Sequence, residues 1–185
     1  SMTANRDAKI VGQRRASGGS GRLGQPKQLH RFDGTTRIRR SGELLDNSVC
    51  SPGAVVLGAE IEESRRELAD LDISICINES WSVGISSSIK AGLRHLLKIE
   101  PDLDAVLIAL CDQPYITSDD IDKLAAEFRR REALIVASGY DGVTGVPAIF
   151  EKEMFDPLFE LTGDQGARYL VRRSNNVSTV QIDGA

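Results

Sequence analysis

The chain has 185 residues, of which 41% are hydrophobic and 27% are charged, and its formal net charge is −4. This composition is ordinary for one globular domain with a sizeable core, and the negative charge argues against general nucleic-acid binding. No apolar run approaches the ~20 residues of a membrane helix. We therefore expect one cytoplasmic domain over residues 1–185, with residues 1–8 flexible and a short C-terminus.

Short apolar runs, taken in chain order, predict the strands. Residues 9–15 stand where a first central strand should precede a glycine-rich loop, but Gln13, Arg14 and Arg15 are poor material for a buried strand. We therefore expect this stretch to be displaced or disordered, or the chain to be impaired. The runs that predict buried strands lie at 54–57, 73–77, 105–110 and 133–137, with a last strand at 177–182.

Helical patterns lie between these runs. Apolar residues at helical spacing predict helices over 86–98 and 117–128, and two more are expected at 151–161 and 164–173. Thr117, with Asp120 three residues later, resembles a capping box at the start of the second helix. Strands that alternate with helices predict an α/β fold with a mostly parallel sheet covered on both faces.

A glycine-rich segment over 17–27 is the first candidate for chemistry. Glycines let the backbone approach a ligand, and successive amide groups in such a loop can bind an anion. Arg22 and Lys27 can add positive charge for phosphate oxygens. The segment lacks the Walker A spacing, and a flexible surface loop is the alternative interpretation.

Asp112 comes two residues after the end of the apolar strand predicted at 105–110. Ligands of open α/β sheets bind beyond the carboxyl ends of the strands, and a carboxylate there can hold Mg²⁺. An aspartate that stabilises the turn before Pro114 is the alternative.

Three further segments carry weaker signals. Residues 78–88 follow a strand and place three serines at a helix start, where they can cap the helix or bind a nucleotide. Residues 140–147 predict a shaped loop or a plain hairpin. Residues 163–168 include Asp164, which can cap a helix, and Arg168, which can bind an anion. The three separated cysteines form no zinc pattern and are expected to be small buried side chains.

Together, the five segments resemble the MobA-like nucleotidyltransferases, closest to the molybdenum cofactor cytidylyltransferases. The family's glycine-rich signature is matched over 16–29, and its N-x-x-W-x-x-G-x-S-S-S pattern over 78–88. D-Q-P is matched at 112–114, G-x-P-x-x-F at 145–150 and G-D-x-G-A-R at 163–168. The family has an apolar first strand and often a histidine at position 146, where this chain has Val146.

The resemblance implies a Rossmann-like three-layer sandwich of the nucleotide-diphospho-sugar transferase type. It also implies transfer of CMP from CTP to the phosphate of molybdopterin, with release of pyrophosphate. The catalytic residues would be Arg22, Lys27 and Asp112, with Asp112 also the Mg²⁺ ligand, and Gly145 and Pro147 would face the acceptor. The nucleotide would contact Ala16, Ser17, Gly18, Gly19, Ser20, Gly21, Gly24, Asn78, Ser86, Ser87 and Ser88.

The partners implied are a nucleoside triphosphate, with CTP preferred over GTP, and a molybdopterin-type acceptor. A molybdoenzyme or its chaperone is a further partner, and neither nucleic acid nor a membrane is expected. Two alternatives stay open. One is a related nucleotidyltransferase that uses GTP or another acceptor. The other is a non-catalytic nucleotide-binding accessory protein of molybdoenzyme maturation, which the polar first strand and short C-terminus favour.

Overall fold

The structure is a computed structural model that describes residues 10–16, 31–32, 35–50, 53–58, 61–110, 113 and 115–183, with the backbone alone for 10–16, 31–32 and 35. The strands are β1 Ile10–Ala16, β2 Arg31–Phe32, β3 Thr35–Thr36, β4 Gly53–Leu57, β5 Ile73–Ile77, β6 Ala105–Leu110, β7 Ile135–Tyr140, β8 Val143–Glu151 and β9 Val177–Gln181. The helices are α1 Arg37–Asp46, α2 Ile61–Leu68, α3 Ile85–Ile99, α4 Ser118–Arg130, α5 Phe155–Phe159 and α6 Ala167–Arg173. Short 3-10 helices cover Trp81–Val83 and Lys152–Met154.

The described strands form a main sheet in the order β5-β4-β1-β6-β8-β7-β9, and β2 pairs with β3 separately. Within the main sheet, β8 runs antiparallel to β6 and β7, whereas the other pairings are parallel. The prediction of a mostly parallel sheet is therefore confirmed. Among the residues that the structure describes, no helix has both the length and the apolar run that a bilayer span requires.

The polar stretch expected to be displaced lies in the centre of the sheet. In β1, Gly12 pairs with Gly53 of β4 on one side and with Leu107 of β6 on the other. The expectation of a displaced first strand is therefore wrong. Parallel pairing on both edges satisfies the backbone groups of β1, whatever its side chains are, and this outweighs their poor strand character.

Helices cover both faces of the sheet, because successive strand residues point to opposite sides. Val106 packs into a core with residues of α3, α5 and α6, whereas its neighbour Leu107 packs into a second core with residues of α1 and α4. The first core includes Leu93, Leu158 and Val171, and the second includes Leu45, Leu124 and Phe128. A smaller cluster joins α1 and α2 to β4. The result is a three-layer sandwich, as expected.

Some boundaries differ from the sequence-based predictions. The strand expected at 133–137 is β7, which extends to Tyr140. Residues 140–147 form a hairpin, in which Asp141 and Gly142 have φ of 48° and 75° and β8 begins at Val143. The helix expected over 151–161 is a 3-10 turn followed by the short α5, and the helix expected from residue 164 begins at Ala167.

Candidate active site

The carboxyl ends of the parallel strands meet at one edge of the sheet. Gly58 follows β4, Asn78 follows β5, and Leu110 and Tyr140 end β6 and β7. Because β8 is antiparallel to its neighbours, its first residues, from Val143, lie at the same edge. In open α/β sheets this edge is where ligands bind.

Several predicted residues lie outside the described part of the chain, so their roles stay predictions. They are Ser17, Gly18, Gly19, Ser20, Gly21, Arg22, Gly24, Lys27 and Asp112. Ala16 is the last residue of β1, so the described chain reaches the carboxyl edge where the glycine-rich segment begins. Leu110 and Gln113, the nearest described residues on either side of Asp112, also lie at this edge.

The Asn78 side chain stabilises the turn between β5 and α3 through three hydrogen bonds. Its Nδ2 donates to the Oγ of Ser87 at 2.9 Å and to the Oγ of Ser88 at 3.0 Å, and its Oδ1 accepts from the Ser80 backbone at 3.0 Å. Both amide hydrogens of Asn78 are therefore engaged within the chain. Ser86 and Ser88 are only 2% and 3% exposed, and Ser87 is half-buried. Contact of these residues with the nucleoside stays a prediction.

The start of α3 is joined to the segment at 163–168. The Ser86 backbone N–H and the Ser86 Oγ both donate to the carbonyl oxygen of Gly163, at 3.1 and 2.7 Å. Gly84 lies against the same carbonyl with φ of 132°, and an added Cβ would lie 2.6 Å from the Gly163 carbonyl carbon. Only glycine fits there, because both the conformation and the space exclude a side chain. Two predicted segments, 79 positions apart between Gly84 and Gly163, thus form one junction.

Gln113 joins the turn after β6 to β8. Its Nε2 donates to the carbonyl oxygen of Val146 at 2.8 Å, and its Oε1 accepts from the Leu110 N–H at 3.4 Å. The Tyr140 hydroxyl donates to the same Val146 carbonyl at 3.4 Å. Gln113 has no role in the sequence-based prediction beyond its place in the D-Q-P motif. The sequence does show an amide side chain directly after the predicted metal-binding carboxylate, and a hydrogen bond from that amide could hold the carboxylate's turn in position.

A cavity of about 620 Å³ opens between α3, α6 and the carboxyl edge of the sheet. It is lined by Ile85, Ile89, Ile108, Leu110, Tyr140, Val146, Asp164, Gln165, Gly166, Ala167, Arg168, Tyr169 and Arg172. Gly145, one of the predicted acceptor residues, lies beside the cavity. A Cβ added at this position would lie 3.6 Å from the Tyr140 hydroxyl and 3.9 Å from Arg168, and both of these residues line the cavity. The Pro147 carbonyl accepts from the buried Ser138 Oγ, which fixes β8 to β7. Residues from three of the five predicted segments therefore line one cavity, and Gln113 of a fourth segment is hydrogen-bonded to Val146 in its wall.

The described cysteines are unsuited to nucleophilic chemistry. Cys50 and Cys76 are buried free thiols. Burial raises the pKa of the Cys50 thiol to about 12 and also raises the pKa of the Cys76 thiol. Because the thiolate is the reactive form, both fit the expected role of small buried side chains.

The sequence model of the MobA-like NTP transferase domain matches residues 16–178. The chain belongs to this family. The match includes all five predicted segments, and the chain is therefore a nucleotidyltransferase-family enzyme, for which the family implies a nucleoside triphosphate substrate.

Individual relatives show how far the similarity extends. The chain is 26% identical over 175 residues to nicotine blue oxidoreductase of Paenarthrobacter nicotinovorans, covering 89% of this chain and 82% of the relative. A homologue of Rv0371c from Mycobacterium sp. strain JC1 is 30% identical with a TM-score of 0.78, over 95% of this chain and 87% of that one. Rv0371c of Mycobacterium tuberculosis, solved as a manganese complex, is 22% identical with a TM-score of 0.77, over 96% and 90%.

The fold also matches that of more distant solved structures. The 4-diphosphocytidyl-2C-methyl-D-erythritol synthase of Anaerococcus prevotii aligns over 96% of this chain and 89% of its own, with a TM-score of 0.73 and 16% identity. This MobA-like chain therefore has the nucleotide-diphospho-sugar transferase-like fold that its motifs predicted.

Proposed function

We propose that this MobA-like protein transfers CMP from CTP to the phosphate of a molybdopterin-type acceptor and releases pyrophosphate. The observation that carries the proposal is the convergence of the family's segments on one edge of the sheet. The Ser86–Gly163 and Gln113–Val146 hydrogen bonds join four of those segments in pairs, and Val146 also lines the cavity. A nucleotide at the end of β1 and an acceptor in the cavity would then face each other.

The reaction needs positioning rather than a protein nucleophile. An oxygen of the acceptor phosphate attacks the α-phosphorus of CTP, the bond to the bridging oxygen of the β-phosphate breaks, and pyrophosphate leaves with the electron pair. In the proposal, the backbone amides of the glycine-rich segment, Arg22 and Lys27 bind the triphosphate and offset the charge on the leaving oxygens. The turn over 78–88 orients the nucleoside beside them.

A divalent cation is part of the proposal. Among the described residues, no group of three or more His, Cys, Asp or Glu side chains could hold a metal ion. The proposed site is built from one carboxylate, that of Asp112, together with phosphate oxygens and water, which is the usual Mg²⁺ arrangement in nucleotide enzymes. The manganese complex of Rv0371c supports a divalent metal in this fold. The bound ion would supply charge neutralisation at the phosphates.

The test is release of pyrophosphate by the purified chain with Mg²⁺, molybdopterin and each nucleoside triphosphate in turn. We expect release with CTP that requires the acceptor, and slower release with GTP. Lys27→Ala and Asp112→Ala should each lower turnover by about 100- to 1,000-fold with an unchanged melting temperature. Lys98→Ala, which removes an exposed cation from the last turn of α3, is the matched control and should retain full turnover.

Other results would favour the alternatives. Binding of CTP without pyrophosphate release would support the non-catalytic accessory protein, and release with GTP alone would reverse the nucleotide preference. The oxidoreductase named among the relatives suggests a second candidate activity. Pyrophosphate release separates it from the proposal, because electron transfer liberates no pyrophosphate.

A further inference from the structure

We infer that the outer edge of β5 binds an extended segment of a partner protein in which acidic and apolar side chains alternate. The segment pairs with β5 as a further strand of the main sheet. This surface is separate from the cavity between α3 and α6, and the inference does not depend on the proposed function. Three features of the described residues support it: backbone groups that face away from the sheet, cations on one face of the edge, and a partly covered apolar cluster on the other.

The outer backbone groups of β5 are available for pairing. β5 is the first strand in the order of the main sheet, and among the described strands only β4 pairs with it. The Asn78 N–H donates to the Leu57 carbonyl of β4 at 2.8 Å. Because successive residues of a strand direct their backbone groups to alternate sides, the even-numbered residues of β5 face β4. The backbone groups that face outward are those of Ile73, Ile75 and Ile77, and an extended chain can add to such an edge through main-chain hydrogen bonds.

One face of this edge is basic. The Ser74 Oγ lies 2.9 Å from Nε2 of His95, so the even-numbered side chains of β5 point toward α3. Arg94 and Lys98 are exposed on α3, and neither has an ion pair with another described residue. Both lie near β5, because burial raises the pKa of the Cys76 thiol and the charges of Lys98 and Arg94 oppose that rise. An acidic side chain on this face of an added strand therefore meets positive charge.

The opposite face of the edge is apolar and only partly covered. The smaller core cluster that joins α1 and α2 to β4 extends to this side of β5. Its partly buried members are Ile61, Leu71, Ile73 and Ile75. Ile77 has the same orientation as Ile75, two residues earlier, and it is 41% exposed. Apolar side chains on this face of an added strand remove the cluster from water, which is favourable.

A second copy of this chain suits the edge less well than an acidic partner does. Antiparallel pairing of two β5 strands about a two-fold axis would place both α3 helices on the same face of the joined sheet. Arg94 and Lys98 of the two copies would then approach each other, and like charges across an interface are unfavourable. Asp72 and Glu79 are exposed just beyond the two ends of β5, so the acidic residues of the partner belong opposite the middle of the strand.

The experiment titrates the full-length chain into a short fluorescein-labelled peptide, in which valine and glutamate alternate, and measures fluorescence anisotropy at low salt. We expect saturable binding of this peptide. Two altered peptides should bind about tenfold more weakly or not at all. One has lysine in place of glutamate, which reverses the charge. The other has every backbone nitrogen methylated, so that it cannot donate to the carbonyl groups of β5.

A pair of variants tests the basic face. Lys98→Glu should raise the dissociation constant about fivefold or more, because an attraction is replaced by a repulsion. Lys123→Glu is the matched control, since it makes the same change at an exposed position of α4, which packs on the opposite face of the sheet. It should bind within about twofold of the unaltered chain. Melting temperatures of both variants establish that they are folded.

Amide hydrogen exchange locates the bound peptide. The amides of Ile73, Ile75 and Ile77 should exchange more slowly when the peptide is bound, whereas the amide of Asn78, which already donates to β4, should exchange as before. The inference is overturned if the valine-glutamate peptide does not bind, if either altered peptide binds equally well, if Lys98→Glu binds as well as Lys123→Glu does, or if the three amides stay unprotected. Protection of these amides that rises with protein concentration in the absence of peptide would also overturn it, because a second copy would then be the occupant.

Discussion

Replacing Gly84 by alanine should destabilise the protein far more than a glycine-to-alanine change in an open turn. At φ of 132°, alanine is strained by about 1–3 kcal/mol. The added Cβ would also overlap the Gly163 carbonyl, which accepts two hydrogen bonds from Ser86. Losing those bonds costs about 1 kcal/mol each. The sum is about 4 kcal/mol, a large part of the roughly 5–15 kcal/mol that holds a domain folded.

The assay is urea unfolding followed by far-UV circular dichroism. Gly142→Ala is the control, because Gly142 also has positive φ, 75°, but nothing lies within 4 Å of an added Cβ. It should lose only about 1 kcal/mol of unfolding free energy. Ser86→Ala, which removes the hydroxyl bond alone, should lose a similar amount. If Gly84→Ala unfolds at the same urea concentration as Gly142→Ala, the close junction between α3 and Gly163 is refuted.

Two further predictions concern Gln113 and His95. Gln113→Ala should lower kcat by about 10- to 100-fold with little change in the KM for CTP, because the turn that carries Asp112 loses its hydrogen bond to Val146. Gln113→Glu should not restore kcat, because a carboxylate cannot donate to the Val146 carbonyl. An unchanged kcat in both variants would contradict the positioning role. Burial lowers the pKa of His95, whose Nε2 lies 2.9 Å from the Ser74 Oγ, from its usual 6.5. Below its usual pKa the imidazole binds protons more readily in the unfolded chain, so the stability that His95 contributes is present above about pH 6.5 and is lost as the pH falls toward the folded pKa. The urea midpoint of His95→Gln should therefore fall less over this pH range than the midpoint of the unaltered chain. Equal falls in the two proteins would refute the assignment.

Local pattern predicted the parts of the fold that depend on local chemistry. The run over 105–110 is uninterrupted and apolar, and it is β6 with the same bounds, Ala105–Leu110. The capping box predicted from Thr117 and Asp120 is present, with each side chain bonded to the other's backbone. Both features depend on neighbours within a few residues, and the sequence displays those neighbours directly.

The rest depends on pairings between distant segments. The residues from Val143 onward mix glycine and proline with apolar residues, and no local pattern among them indicates a strand that pairs antiparallel to β6. The sequence therefore predicts only a shaped loop or a hairpin at the start of β8. The central place of β1 follows from partners on both sides rather than from its own residues. In the site, the Gly84–Gly163 junction and the Gln113 bond to Val146 depend on the fold bringing separate segments together.

The most direct test of nucleotidyl transfer at this edge is a crystal structure of the chain with a non-hydrolysable CTP analogue and Mn²⁺, located by its anomalous signal. We predict Mn²⁺ within about 2.3 Å of a carboxylate oxygen of Asp112. The triphosphate should lie within hydrogen-bond distance of Arg22 and Lys27, at the end of β1. A triphosphate bound elsewhere, or Arg22, Lys27 and Asp112 on separate surfaces, would contradict the account.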